Sequence, residues 1–431
     1  MSGLIGDRAE TIRRIAAAHG PVVRVPVPGK PFHLVSCPRL ARHVLLTNNK
    51  NYRKSFDWKI VHSLLGDGLV TSHDEVWRHA RAATAPVFRQ EPVLRMAAAL
   101  QDVVAEEVAG WGGVLPTGAA TTRLALRAFA RAALDVDADR VDLDEITRAV
   151  SAGLRHLDAR LGAPVDLAAR LPTPGRLRFA RARARLDAVL YRWIDAAARR
   201  APGPDLLSVL LQASRALPDA GLTPRVWLRD QLVTFLLAGH ETVAVSLTWC
   251  LHLLATHPDA QRRAREGLPG DGEALGPWLG AWTPLDAVIH EALRLFPPVW
   301  SLGREAVADD RLGDFHLPAG ATVMVSPYAI HRRADLWPEP DAFRPERFAA
   351  GPPAQGGAEG LTYLPFSAGP RLCPGDRLAL VELKLALREV LRRFEVAPTR
   401  PGPVACEALI SLRPRRELEL RLTARAAGDP A

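Results

Sequence analysis

A single cysteine in a glycine-containing loop is the clearest chemical feature of the sequence. Residues 366–375 read FSAGPRLCPG, and Cys373 lies just before residues 376–393, whose apolar periodicity predicts a helix. A thiolate binds a metal such as iron when the loop keeps water from the sulfur and directs backbone N–H groups toward it. The spacing therefore indicates that Cys373 is a metal ligand, although most intracellular cysteines are inert buried thiols.

A second unusual stretch lies in the middle of a long apolar segment. Thr223 and Pro224 are typical N-cap and first-turn residues, and the helix that they begin is predicted to run to about residue 257. Its centre reads AGHET, where Gly239 lowers the helix propensity and Glu241 adds a charge to an apolar run. Such local costs usually mark a functional site. The central His240 and Glu241 also disfavour a membrane span.

Two further pairs are too common to be informative alone. Trp77 and Arg81 are four residues apart and share one face of a predicted helix, as on any amphipathic surface helix. Glu291 and Arg294 have the spacing of an i,i+3 ion pair, which contributes only about 0.2–0.5 kcal/mol on an exposed helix. Arg347 follows in the segment PERF. These residues gain weight from their order along the chain relative to the cysteine loop.

Taken in order, these motifs resemble those of the cytochrome P450 superfamily. Residues 366–375 are similar to the haem-binding loop of that family, and AGHET resembles its A-G-x-E/D-T segment. The resemblance implies a haem b cofactor whose iron has the Cys373 thiolate as axial ligand. It also implies haem contacts from several other residues of the motifs: Trp77, Arg81, Ala238, Gly239, Arg304, Phe366, Gly369, Arg371 and Gly375.

The same resemblance gives roles to the polar residues of the long helix. Thr242 would hydrogen-bond dioxygen at the haem, and Glu241 would relay protons from solvent. Gly239 would let dioxygen and substrate approach the helix. The residues alone leave two alternatives open: a surface-facing Glu241, and a Thr242 hydroxyl that bonds its own backbone.

The resemblance also separates structural residues from substrate contacts. Glu291, Arg294 and Arg347 would form a buried triad that supports the side of the molecule where the cysteine loop lies. The predicted substrate contacts are apolar or small residues: Phe56, Leu237, Val299, Trp300, Ser301, Leu302 and Ile410, with Leu409 and Ser411 also reaching toward the pocket. Their character favours a hydrophobic substrate.

The expected fold is mainly α with a small β region, with the haem between the long helix and the cysteine loop. One domain of residues 1–431 is predicted. Short strands are expected at residues 22–25, 33–35, 311–317 and 322–325, and a closing hairpin over residues 405–422. Helices are expected over residues 38–46, nearly all of 93–199, 223–257, 284–296 and 376–393. Residues 56–70 are predicted to form an apolar, loop-like lid over the substrate.

Composition limits the remaining classes of function. The chain is 48% hydrophobic and 24% charged, which is an ordinary soluble composition. Its net charge of +9 comes from 51 arginines and five lysines, dispersed beside acidic residues and not clustered with aromatics, which disfavours nucleic-acid binding. Residues 1–18 lack the apolar core of a signal peptide or membrane anchor, and four scattered cysteines suit a reducing compartment. A cytoplasmic protein is therefore expected.

The implied activity is that of a haem-thiolate monooxygenase acting on a hydrophobic small molecule, such as a terpenoid or polyketide intermediate of secondary metabolism. Two electrons would come from a separate ferredoxin or flavodoxin with its NAD(P)H reductase. Two alternatives stay open: a haem-thiolate enzyme of different chemistry, such as a peroxide-driven hydroxylase or an isomerase, and a non-catalytic haem sensor or carrier. The acid–alcohol pair Glu241 and Thr242 favours the monooxygenase, because relatives with those other chemistries often lose it.

Overall fold

Helices make up most of the fold. The computed structural model describes residues 7–26, 31–55, 58–161, 173–218, 221–270, 272–354 and 360–425. The helices of this part are α1 (Arg8–His19), α2 (Pro38–Arg42), α3 (Trp58–Leu65), α4 (Asp74–Thr84), α5 (Gln90–Ala109), α6 (Thr117–Leu134), α7 (Arg140–Leu161), α8 (Pro174–Arg199), α9 (Leu206–Ala213), α10 (Pro224–Thr256), α11 (Pro258–Arg265), α12 (Leu275–Gly280), α13 (Pro284–Leu295), α14 (Pro327–Ile330) and α15 (Asp376–Arg393).

The strands form small sheets beside the helices. They are β1 (Val22–Val25), β2 (Phe32–Val35), β3 (Tyr52–Arg53), β4 (Gly113–Pro116), β5 (Leu302–Ala306), β6 (Asp310–Leu312), β7 (Phe315–Leu317), β8 (Thr322–Val325), β9 (Phe394–Pro398), β10 (Cys406–Ala408), β11 (Leu412–Pro414) and β12 (Glu419–Ala424). The largest sheet has the order β1-β2-β8-β5-β3, with β2 and β8 parallel and the other neighbours antiparallel. The predicted mainly α fold with a small β region is confirmed.

The long helix α10 passes through the core. The Thr223 hydroxyl accepts a hydrogen bond of 3.4 Å from the Val226 N–H and so caps its first turn. Its 33 residues span about 50 Å at 1.5 Å per residue. Helices α6, α8, α13 and α15 pack around it, which explains why apolar residues occur on all of its faces. This helix is long and apolar enough to cross a membrane, but 78% of its apolar window is buried inside the protein, as in a core helix.

Several predicted element boundaries are accurate. Helix α10 and helix α13 end within one residue of their predicted ends, and α15 coincides with the prediction. The predicted strands correspond to β1, β2, β6, β7 and β8. The predicted helix 38–46 is α2, which continues as a π-helical turn over His43–Thr47. Each of these segments has a signal in its local sequence: an N-cap residue, a proline at the helix start, or alternation of apolar and polar residues.

Two local predictions were wrong, and a third, the closing hairpin, was right only in part. Residues 58–65 form α3 and not a loop: Ile60, Leu64 and Leu65 pack into the core, and Gly66 ends the helix with a φ of +58°. Strand β4 interrupts the segment predicted to be almost wholly helical, because it pairs with β12. The hairpin closes between β10 and β11, whereas β12 pairs with β4 and β9. The pairing of strands that lie far apart in the sequence leaves no signal in the local sequence.

Candidate functional site

Cys373 lies in an ordered loop that leads into α15. The Cys373 N–H donates to the Phe366 carbonyl at 3.0 Å, and the Leu372 N–H donates to the Gly369 carbonyl at 2.9 Å. The Gly375 N–H donates to the Cys373 sulfur and lowers its pKa, but burial has the larger effect and raises the pKa of the thiol to about 11. A cation at the sulfur is what would convert such a thiol into a thiolate.

Gly369 is required by the path of the loop. Its φ is +71°, and a Cβ at this position would lie 2.0 Å from the Leu45 carbonyl oxygen in the π-helical turn. Any other residue would be strained and would also collide with backbone. Gly375 differs, because a Cβ there would make an ordinary 3.8 Å contact with Phe88. The ring of Phe88 stacks on Phe235 of α10, with 5.8 Å between centroids, so it bridges the cysteine loop and the long helix.

Three arginines predicted to contact one ligand lie close together. The Arg371 guanidinium lies over the Trp77 ring, 4.0 Å from its centroid, and donates to the Ser72 carbonyl at 3.1 Å. Burial, together with the neighbouring charges of Arg304 and Arg81, lowers the pKa of Arg371 to about 10, although Asp74 opposes the shift. Burial also lowers the pKa of Arg81, which the Cys373 thiolate would raise. These buried or partly buried guanidinium groups repel each other. Binding of an anionic group between them would relieve the repulsion and is therefore favoured.

The centre of α10 opens on one side. Ala238 is exposed although residues 227–237 and 243–255 of the same helix are buried, and Gly239, Glu241 and Thr242 are partly exposed. The helix therefore faces an opening at the AGHET segment. The Thr242 hydroxyl donates to the Ala238 carbonyl at 2.7 Å, which is the local backbone bond considered as the alternative from sequence. His240 is buried, and its Nδ1–H donates to the Leu236 carbonyl at 2.6 Å.

Gly239 lies where α10 packs against α6. A Cβ on Gly239 would lie 2.5 Å from two ring atoms of Phe129, which belongs to α6. The absence of a side chain therefore makes room for Phe129. Close packing of α6 against α10 thus requires a glycine here, and the access that this glycine would give to dioxygen and substrate stays a prediction.

A buried ion-pair network supports the cysteine side of the molecule. Arg294 binds both oxygens of Glu291, at 2.7 and 2.8 Å, and neither side chain is exposed. The Arg347 Nε lies 3.3 Å from Glu291 Oε1. The sequence did not reveal His331, whose Nδ1–H donates to the Arg294 carbonyl and whose Nε2 accepts the Leu364 N–H at 2.9 Å. This ring connects α13 to the segment just before the cysteine loop.

The predicted substrate contacts differ in their surroundings. Val299 is 37% exposed, whereas Trp300 is 7% exposed and donates its indole N–H to the Leu409 carbonyl at 2.8 Å. Leu237 is buried in the main core. Ser301, Leu302 and Ile410 are partly buried, and Phe56 lies outside the described residues. The Trp300 ring is therefore largely used for packing.

Comparison with known proteins decides the family. The family model for cytochrome P450 matches residues 5–420. The chain belongs to the cytochrome P450 family. It is 33% identical over 391 residues to cyclooctat-9-en-7-ol 5-monooxygenase of Streptomyces melanosporofaciens, covering 89% of this chain and 84% of the relative. It is 30% identical to pentalenene oxygenase of Streptomyces avermitilis, covering 96% of this chain and 92% of the relative.

Solved structures agree with this family. A six-coordinated cytochrome P450 from Thermus thermophilus superimposes with a TM-score of 0.75 at 30% identity, over 97% of this chain and 99% of that one. The chain is thus a P450 monooxygenase, and its cofactor is haem with a cysteine thiolate as axial ligand. The site fits this group: a thiol receives a backbone N–H, cations gather beside it, and the long helix opens at its centre.

Proposed function

We propose that this P450 oxidises a hydrophobic terpenoid, using O2 and two electrons from a separate ferredoxin or flavodoxin with its reductase. The observation that carries the substrate class is the 33% identity to a relative named for a terpenoid alcohol, over 89% of this chain. The apolar character of Leu237, Val299 and Ile410 supports it. A single domain and a cytoplasmic location belong to the same proposal, supported by one large core from Ile60 to Leu422 and by four free cysteines.

Cys373 is the proposed axial ligand of the haem. The N–H of Gly375 would share the charge of the thiolate, and Arg81 would stabilise that charge electrostatically. Trp77, Arg81, Arg304 and Arg371 are the proposed partners of the two haem propionates, supported by the mutual repulsion of the arginines, which an anionic group would relieve. When bound, the haem would supply the activation of dioxygen that protein side chains cannot provide.

Glu241 and Thr242 are the proposed proton carriers. Both are partly exposed at the opening in α10, where a polar group can reach the bound molecules. The Thr242 hydroxyl donates to the Ala238 carbonyl, but its oxygen keeps lone pairs that can accept a hydrogen bond from a donor. Glu241, an acid beside this alcohol, can exchange protons with solvent and pass them inward.

A panel of terpenoid hydrocarbons, terpenoid alcohols and polyketide fragments tests the substrate class. Each compound is titrated into the purified haem protein while the Soret band is followed, because displacement of water from the iron shifts the spin state. We expect terpenoids to give saturable shifts and, with ferredoxin, reductase, NADPH and O2, products heavier by one oxygen atom. Shifts and products confined to the polyketide fragments would contradict the terpenoid assignment.

A further inference from the structure

A side-chain hydrogen bond joins the proposed proton acid to a distant hairpin. The Ser411 hydroxyl donates to Glu241 Oε1 at 2.8 Å, although the two residues are 170 positions apart in the chain. Ser411 is 5% exposed and lies between β10 and β11. A hydroxyl bonded to a carboxylate makes a stronger contact than one between neutral groups. This bond fixes one carboxylate oxygen of Glu241 and leaves the other for a second partner.

The hairpin around Ser411 is itself held in place. The indole N–H of Trp300 donates to the Leu409 carbonyl at 2.8 Å, and that of Trp249 donates to the Leu412 carbonyl at 2.9 Å. The Leu412 N–H donates to the Pro298 carbonyl at 3.0 Å. Trp249 belongs to α10, the helix that carries Glu241. The backbone on both sides of Ser411 is therefore fixed relative to Glu241, so the hydroxyl reaches the carboxylate without further ordering of the hairpin.

We propose that Ser411 is a positioning residue, which holds the Glu241 carboxylate in the orientation needed to pass protons toward Thr242. The inference rests on the proposed proton-carrying role of Glu241. An unrestrained glutamate on a partly exposed stretch of helix would sample several rotamers, and only some of them direct its carboxylate toward a given acceptor. Since Ile410 is adjacent and is a predicted substrate contact, the same hairpin connects occupancy of the pocket to the acid.

A double-mutant cycle tests whether Ser411 acts through Glu241. The variants are Ser411→Ala, Glu241→Gln and the double variant, with Ser411→Thr as the conservative replacement. Ser214→Ala is the matched control, because this serine is also buried and its hydroxyl donates at 2.8 Å to a backbone carbonyl, that of Leu211. The unfolding temperature of each substrate-free haem protein is measured first, and then the product formed per NADPH with cyclooctat-9-en-7-ol as the first probe.

We expect the unfolding temperatures of the cycle to be non-additive, as they are for residues in direct contact. Product per NADPH should fall about threefold to tenfold in Ser411→Ala, with the corresponding electrons appearing as peroxide, for loss of a charge-assisted hydrogen bond. The probe's dissociation constant, from the Soret titration, should stay within about twofold. Ser411→Thr should recover most of the yield, and Ser214→Ala should match the wild type.

Three results would overturn the inference alone, and two of them come from comparison across the cycle: additive unfolding temperatures, or a Ser411→Ala loss of yield that is equally large in the Glu241→Gln background. The first would show that the two side chains do not interact, and the second that Ser411 acts by another route. If the wild type forms no oxygenated product from any terpenoid of the panel, the proposed function falls and this inference falls with it. Product from the wild type with an unchanged Ser411→Ala yield overturns only the inference.

Discussion

At the scale of single residues, burial is the largest cause of the pKa shifts of the most buried polar groups. Asp158 on α7 is 8% exposed, and neither of its carboxylate oxygens has a hydrogen-bond partner among the residues that the structure describes. Burial raises its pKa from 3.8 to about 6, and the negative charges of Glu407 and Glu241 add to the rise. Arg8 and Arg413 oppose it. Asp158 therefore carries a free-energy cost when ionised that a neutral side chain would not have.

We predict that Asp158→Asn stabilises the protein at neutral and higher pH. As pH rises, the carboxyl ionises near pH 3.8 in the unfolded chain but only near pH 6 in the folded protein. Between these two values only the unfolded state gains from ionisation, so the unfolding free energy of the wild type falls and then stays low at higher pH. The difference of about two pKa units corresponds to at most about 3 kcal/mol. Thermal unfolding from pH 4 to pH 8 measures it: the advantage of the variant should grow from about pH 4 to about pH 6 and then level off.

The exposed Asp144 of the same helix provides the control for this prediction. Asp144→Asn removes the same charge from α7 without removing a buried carboxylate. Its unfolding free energy should therefore stay within about 0.5 kcal/mol of the wild type, which is the usual effect of a surface substitution. Equal behaviour of the two variants at every pH would mean that Asp158 is not destabilised by its surroundings.

At the scale of helices and strands, sequence patterns revealed what is local and missed what depends on distant contacts. Helix α15 follows from its apolar periodicity, and α10 follows from its Thr223 cap and its long apolar run. Strand β4 was missed because its stability comes from pairing with β12, some 300 residues later. The Ser411–Glu241 bond is of the same kind: each residue could be marked as a candidate, but their contact depends on where the hairpin packs.

Packing between α6 and α10 leads to a second prediction. In an exposed helix interior, Gly→Ala gains about 1 kcal/mol. At Gly239 the new Cβ would lie 2.5 Å from the Phe129 ring, so Gly239→Ala should instead lower the unfolding free energy by about 1–3 kcal/mol through overpacking. Urea unfolding, together with haem content, measures the change.

A second-site replacement tests the cause of that loss. Phe129→Leu removes the ring edge that the alanine would meet, so it should restore part of the stability of Gly239→Ala. Gly276→Ala in α12 is the control, because a Cβ there meets nothing within 4 Å. A Gly239→Ala variant as stable as Gly276→Ala would show that α6 can move away from the new Cβ without loss of stability.

At the scale of the whole molecule, the net charge of +9 bears on the electron donor. Ferredoxins and flavodoxins are small acidic proteins, and opposite charges raise the rate of encounter. We predict that such a donor docks on the side beneath Cys373 and that the second-order rate constant of haem reduction falls as salt rises. The reason is that the Debye length shrinks from about 10 Å at 0.1 M to about 3 Å at 1 M salt.

Stopped-flow reduction by a ferredoxin across this salt range checks the prediction. The exposed Arg377 at the start of α15, four residues after Cys373, is a suitable site for a charge reversal, with the exposed Arg155 on α7 as its control. Arg377→Glu should slow reduction at low salt and lose its effect at high salt, whereas Arg155→Glu should have little effect. A rate constant indifferent to salt in the wild type would show that charge does not guide this docking.

The central claim is that Cys373 supplies the thiolate ligand of a haem. The most direct measurement is the absorption spectrum of the reduced, carbon monoxide-bound protein, for the wild type and for Cys373→Ser. We expect a thiolate-type Soret band in the wild type and its loss in the variant, because a serine hydroxyl does not donate charge to iron as a thiolate does. Cys250→Ser, at a buried thiol of α10, should keep the wild-type band. An unchanged thiolate-type band in Cys373→Ser would contradict the claim.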